Sequence, residues 1–140
     1  MADSTDWTDP LPDHKPEILV IDSEYLIAFD TAQILSEELG CEAETATPEA
    51  AHDLLRTRRF DIVVIEVQDD PATTGNLVAA ARSAGGAVVF TSTSEGDRDG
   101  VDGFCEWPVV LKPFPSGEIA RSVTAILQAG RSTARMIASR

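Results

Sequence analysis

Four short aliphatic runs punctuate the chain: Ile18–Ile21, Ile62–Ile65, Val88–Phe90 and Val109–Leu111. Each is too short for a helix and too evenly apolar for a strand with one wet face. Such runs fit strands of a parallel sheet covered on both sides. They predict strands over Glu17–Asp22, Phe60–Val67, Ala87–Phe90 and Pro108–Leu111, with Phe60–Val67 the most apolar and therefore central. Cys41–Thr45 reads as a fifth, weaker strand.

Between the strands the apolar spacing turns helical. A helix is expected from about Glu24 to Leu39, with Leu26, Phe29, Ile34 and Leu35 on its apolar side and Gly40 as its stop. Thr47-Pro48-Glu49 supplies a hydroxyl cap, a first-turn proline and a first-turn acid for a second helix, which ends near Arg58-Arg59. A polar loop, Gln68–Gly75, leads into a small-residue helix over about Asn76–Ser83. Thr93–Trp107 contains Gly96, Gly100 and Gly103. Each glycine costs a helix about 1 kcal/mol relative to alanine, so only a turn or two of helix is expected there. Ser116 is placed as the cap of a last helix striped by Ile119, Val123, Ile126 and Leu127, and Gly130 as its possible break.

Strands alternating with helices give an α/β sandwich with a doubly wound, five-stranded parallel sheet. Five strands and five helices make it a flavodoxin-like (βα)5 fold, with strand order 2-1-3-4-5. Right-handed crossovers bring the ends of strands one and three side by side at the switch point, where ligands bind in open α/β sheets. The C-terminal strand ends carry Asp22-Ser23-Glu24, Glu66, Thr91-Ser92 and Lys112-Pro113-Phe114. Asp22, Glu66, Ser92 and Lys112 are thus expected to converge.

Acid, acid, hydroxyl and Lys-Pro, in that order at four strand ends, resemble the receiver domain of two-component response regulators, across about residues 16–130. The resemblance implies that the acids after strand one hold Mg²⁺. The aspartate after strand three would take a phosphoryl group, and a hydroxyl and a lysine would grip it. Matched residue by residue, Asp22 is the first strand-one acid, Ser92 the hydroxyl and Lys112 the lysine, with a cis bond expected before Pro113. Glu66 falls at the phospho-accepting aspartate.

Three positions depart from the pattern. The extra methylene of Glu66 pushes its carboxylate outward by about one C–C bond length. A misplacement of about 1 Å can cost on the order of 100-fold in rate. Glu66 is therefore expected to fill part of the phosphoryl space and to pair with Lys112, or Lys112 with Asp22. Ser23 replaces the second strand-one acid, which leaves Asp22 and Glu66 as a weakened Mg²⁺ set. Val109 stands where the resemblance implies an aromatic switch residue. The combination implies a degenerate, phosphate-independent or weakly phosphorylated receiver. It would act through contacts with a histidine kinase, a phosphotransfer protein or another regulator, or as a homodimer, and not as an enzyme.

Composition narrows the classes. The 140 residues suit one domain, preceded by an acidic lead over 1–16 and followed by a basic tail or helix extension over 131–140. A net charge of −13 opposes nucleic-acid binding. No apolar run is long enough to span a membrane, and no signal-peptide core is present, so a cytoplasmic location is expected. Cys41 and Cys105 form no CxxC motif and fall at opposite sheet edges, which excludes a disulfide; Cys105 is expected to be a small buried filler. His52 is expected on a surface, and Trp107 either as a cap over the sheet edge or on a binding surface. A Mg²⁺-dependent phosphatase or phosphotransferase using Asp22 and Glu66 is the competing class, but Asp22 lacks a partner acid and no histidine or cysteine lies near the strand ends. A dinucleotide module is poorer still, because no Gly-rich loop follows strand one.

Overall fold

A computed structural model of the chain describes residues 15–113 and 117–138, with side chains as far as Ala129. Five parallel strands, β1 (Glu17–Ile21), β2 (Glu42–Ala46), β3 (Ile62–Glu66), β4 (Ala87–Ser92) and β5 (Val109–Leu111), pair in the order β2-β1-β3-β4-β5. The expected fold class and strand order are therefore the observed ones. Four α-helices cover the sheet: α1 (Tyr25–Leu39), α2 (Pro48–Thr57), α3 (Pro71–Ser83) and α4 (Glu118–Ala138).

Strand alternation divides the core in two. Ile18, Val20, Ile62, Val64, Val89 and Val110 pack under α1 and α4, against Ala28, Ala32, Leu35, Ile119 and Val123. Leu19, Ile21, Val63, Ile65, Val88 and Phe90 pack under α2 and α3, against Ala51, Leu55, Leu77 and Ala81. Both faces of the three inner strands are thus dry, as their unbroken aliphatic runs require. Leu35 and Ile65 lose all contact with water, and burying a side chain of that size contributes about 2 kcal/mol.

Several elements differ from the sequence reading. Between β4 and β5 there is one 3-10 turn, Glu95–Asp97, as the three glycines of that stretch predict, so the described residues have four α-helices where the sequence reading counts five helices. α3 begins at Pro71, not Asn76: the Asp70 carboxylate caps it by accepting from the Ala72 N–H at 3.1 Å. Asp70-Pro71 is a cap followed by a first-turn proline, and Gly75 is carried inside the helix. On α1 the buried positions are Ala28, Thr31, Ala32 and Leu35, whereas Leu26 and Phe29 face outward. Gly130 does not interrupt α4. Cys105 is exposed and Cys41 is buried, and both are free thiols; burial raises the Cys41 pKa. Trp107 packs against the core layer under α2 and α3, with the Arg82 guanidinium 5.2 Å from its ring centre. Ser116, Phe114, His14 and the lead over 1–14 lie outside the described residues. No described helix is long and apolar enough to cross a membrane.

Candidate functional site

Alternation fixes which strand-end residues share a side. Asp22, Glu66 and Lys112 each follow by two steps a core residue packed under α1 and α4, namely Val20, Val64 and Val110, so all three fall on that side. Lys112 is held by the sheet edge, its N–H donating to the Ser92 carbonyl at 2.7 Å, and a cis peptide joins it to Pro113. Asp22 is buried, Lys112 is half-buried with its side chain only 9% exposed, and the Glu66 side chain is the most open of the three.

The side chains close on one another. Lys112 Nζ donates to Asp22 Oδ2 at 3.1 Å and to Glu66 Oε2 at 3.3 Å. Asp22 Oδ1 accepts from the Glu24 N–H at 2.8 Å. Glu66 Oε1 accepts from the Ser23 N–H at 3.0 Å and from Ser23 Oγ at 2.9 Å. Every oxygen of the two carboxylates therefore has a donor, and the ammonium is shared between two anions. Networks satisfied to this degree hold one geometry, because any departure leaves a buried polar group unpaired.

Electrostatics follow the geometry. Burial by itself pushes the Glu66 carboxyl up, but the Ser23 N–H, the Ser23 hydroxyl and the Lys112 ammonium together outweigh it. The net effect holds Glu66 below the usual carboxylate range. Glu66 is accordingly an anion at neutral pH, matched to Lys112.

Ser92 does not join this cluster. Its Oγ donates to Asp97 Oδ2 at 2.6 Å and accepts from the Ser94 N–H at 3.0 Å, which ties down the turn after β4. Thr91, also buried, pairs in register with Glu66 and has the same alternation as Glu66 and Lys112. Counting by twos from Val89 would have selected Thr91; reading the strand end at Phe90 obscured that. Gln68 is a second residue the sequence reading passed over: its Nε2 donates to the Glu66 carbonyl at 2.7 Å, fixing the backbone beside the carboxylate. Val109 is half-buried against the core layer under α2 and α3.

The donor set is a weakened one for Mg²⁺, which takes a near-octahedral set of oxygens, several of them waters, and is held through one or two carboxylates. Here Asp22 and Glu66 both spend an oxygen on Lys112, and the Ser23 hydroxyl points its hydrogen at Glu66. Among the described residues no group of three or more His, Cys, Asp or Glu side chains could hold a metal ion. A metal-assisted hydrolase would need the same two carboxylates.

No family model matches the sequence, and comparison with curated proteins finds no match either. Comparison with solved structures does. A response regulator receiver protein from Sinorhizobium medicae aligns over 82% of this chain and 96% of its own, with 20% identity and a TM-score of 0.69. The PhyR response regulator REC domain of Erythrobacter litoralis aligns over 81% of this chain and 91% of its own, with 18% identity and a TM-score of 0.64. A de novo designed Rossmann 2x3 protein also aligns, at 15% identity over 82% of this chain and 91% of its own, with a TM-score of 0.59. The chain has the five-stranded, doubly wound fold of response regulator receiver domains.

Proposed function

We propose that this chain is a receiver-like signalling module of the two-component type that works without being phosphorylated. Its pocket is held permanently in one charge state by Glu66, and its output is contact with another protein. The observation that carries this reading is Lys112 Nζ within 3.3 Å of both Asp22 and Glu66, with the remaining Glu66 oxygen taken by Ser23. Phosphoryl transfer to a carboxylate needs a free nucleophilic oxygen, a cation beside it, and donors for the transferred group. In this pocket the nucleophile is bonded, the ammonium is already shared between two anions, and the metal-binding set is short of an acid. Glu66 supplies near Lys112 the negative charge that a phosphoryl group would otherwise bring.

The start of β5 supports the same reading, because Val109 offers no ring to swing. A cytoplasmic location suits such a module. Titration of isotope-labelled protein with Mg²⁺ and beryllofluoride, a phosphoryl stand-in, tests the proposal by amide NMR. The expected result is no saturable shift at Ser23, Glu66 or Lys112; a saturable shift at those amides would overturn it.

A further inference from the structure

The end of α4 and the start of β1 share one edge of the molecule. Glu118 lines a cleft with Lys112 and Pro113, at the C-terminal end of β5. Ala125 and Ile126 line another with Trp107 and Pro108, just before β5 begins. The helix therefore runs back antiparallel to the strands. Its 21 residues span about 31 Å, whereas the five residues of β1 span about 17 Å. Among the described side chains its core positions run from Ile119 to Leu127, in the same layer as Ile18 at the foot of β1. The last turns of α4, with Arg131 and Arg135, thus pass beyond the N-terminal edge of the sheet. Residues 1–14 join β1 at that same edge, through Lys15 and Pro16.

Charge matches the two segments. Residues 1–14 hold Asp3, Asp6, Asp9 and Asp13 and neither lysine nor arginine. After Glu118, α4 carries Arg121, Arg131 and Arg135 and no acid. Arg131 and Arg135 are four apart, which sets them one turn from each other along one side of the helix. Arg56, Arg58, Arg98 and Lys112 already pair with acids of the described residues, so they draw the lead less than the acid-free extension does. Basic segments also attract nucleic acid and anionic membranes, but a net charge of −13 opposes both. The lead, by contrast, is already tethered. Asp13 and Asp9 lie two and six residues from Lys15, within about 20 Å of it when extended. Such a tether gives an effective concentration in the millimolar range, above that of a separate acidic chain in dilute solution.

We propose that the last turns of α4 are a docking surface for the chain's own acidic lead, with Asp9 and Asp13 against Arg131 and Arg135. The lead then covers the basic helix extension from within the same chain. This clasp is independent of the state of Lys112.

The test is paramagnetic relaxation in the 140-residue chain, with a nitroxide on Thr8→Cys in a Cys105→Ser background; Cys41 is buried and stays unlabelled. The amide signals of residues 130–138 are expected to lose intensity selectively. That loss should disappear in Arg131→Glu/Arg135→Glu and return when Asp9→Lys/Asp13→Lys is added, a recovery that a merely misfolded helix would not show. It should also fade in about 1 M salt, where the screening length is about 3 Å. Broadening that ignores the charge reversal would leave the arginines as complements of the helix dipole and overturn the proposal, as would broadening centred elsewhere. Broadening of an isotope-enriched chain by a separate nitroxide-labelled one would place the lead on a second copy and overturn it too.

Discussion

Removing Lys112 isolates two acids that its ammonium now holds together. Asp22 is almost fully buried, and Lys112 is 9% exposed, so Lys112→Met should destabilise the fold by about 3–5 kcal/mol, the cost of stranding a buried charge. Glu66→Gln keeps an acceptor for Ser23 and leaves Lys112 paired with Asp22, so it should cost about 1 kcal/mol. Urea unfolding of the two variants measures both. The pH dependence has a definite sign. Burial raises the Glu66 carboxyl, Ser23 and Lys112 lower it, and the lowering wins. A carboxyl with a lower pKa folded than unfolded contributes stability that is fully present above its unfolded value, about 4.3, and is lost as pH falls through the folded one. The urea midpoint should therefore drop as the pH is lowered below about 4.3, and should drop less in Glu66→Gln; equal slopes would remove Glu66 from the account. At this scale the sequence told a great deal. Asp22, Glu66 and Lys112 were legible because each ends an aliphatic run. Ser92 was chosen over Thr91 because a strand's last residue sets which side its neighbours face, and one step of error reverses the side.

Among the elements, strands were easier to read than helices. The inner strands are dry on both faces, so composition alone marks them. α1 buries Leu35 together with Ala28, Thr31 and Ala32, three small residues that let the helix lie close to the sheet, and sends its bulky Leu26 and Phe29 outward. A reading that ranks positions by hydrophobicity turns that helix to the wrong side. Leu26→Ser should accordingly change stability by no more than about 0.5 kcal/mol, whereas Leu35→Ala should cost about 2–5 kcal/mol; thermal and urea unfolding distinguish them. The α3 start was missed because Asp70-Pro71 lies among threonines and a glycine that look like loop, although the pair is also a helix cap. Gly86 gives a further check on packing between β3 and β4. A Cβ there would stand 2.8 Å from the Phe60 carbonyl oxygen and 3.3 Å from Val63 Cγ2. Gly86→Ala should cost about 1–3 kcal/mol through backbone displacement, read by the same unfolding measurement.

For the molecule as a whole, the fold and the pairing of Lys112 with a strand-end acid followed from the order of strand ends, but its sharing between both acids and the grip of Ser23 on Glu66 did not. That arrangement depends on distances of about 3 Å between side chains from β1, β3 and β5, which no local pattern encodes. Under the proposed function, it turns a site that could gather charge around a phosphoryl group into one whose ammonium is already shared between two carboxylates. The most direct test is intact mass after incubation with acetyl phosphate and Mg²⁺. It compares the native chain with Glu66→Asp and with the double variant Ser23→Asp/Glu66→Asp, which shortens the acceptor and returns the second acid. The account predicts no adduct on the native chain and one phosphoryl adduct on the double variant; the single variant shows whether Ser23 is a separate barrier. One phosphoryl adduct on the native chain, lost in Glu66→Gln, would contradict it and make this pocket a working phosphoryl acceptor.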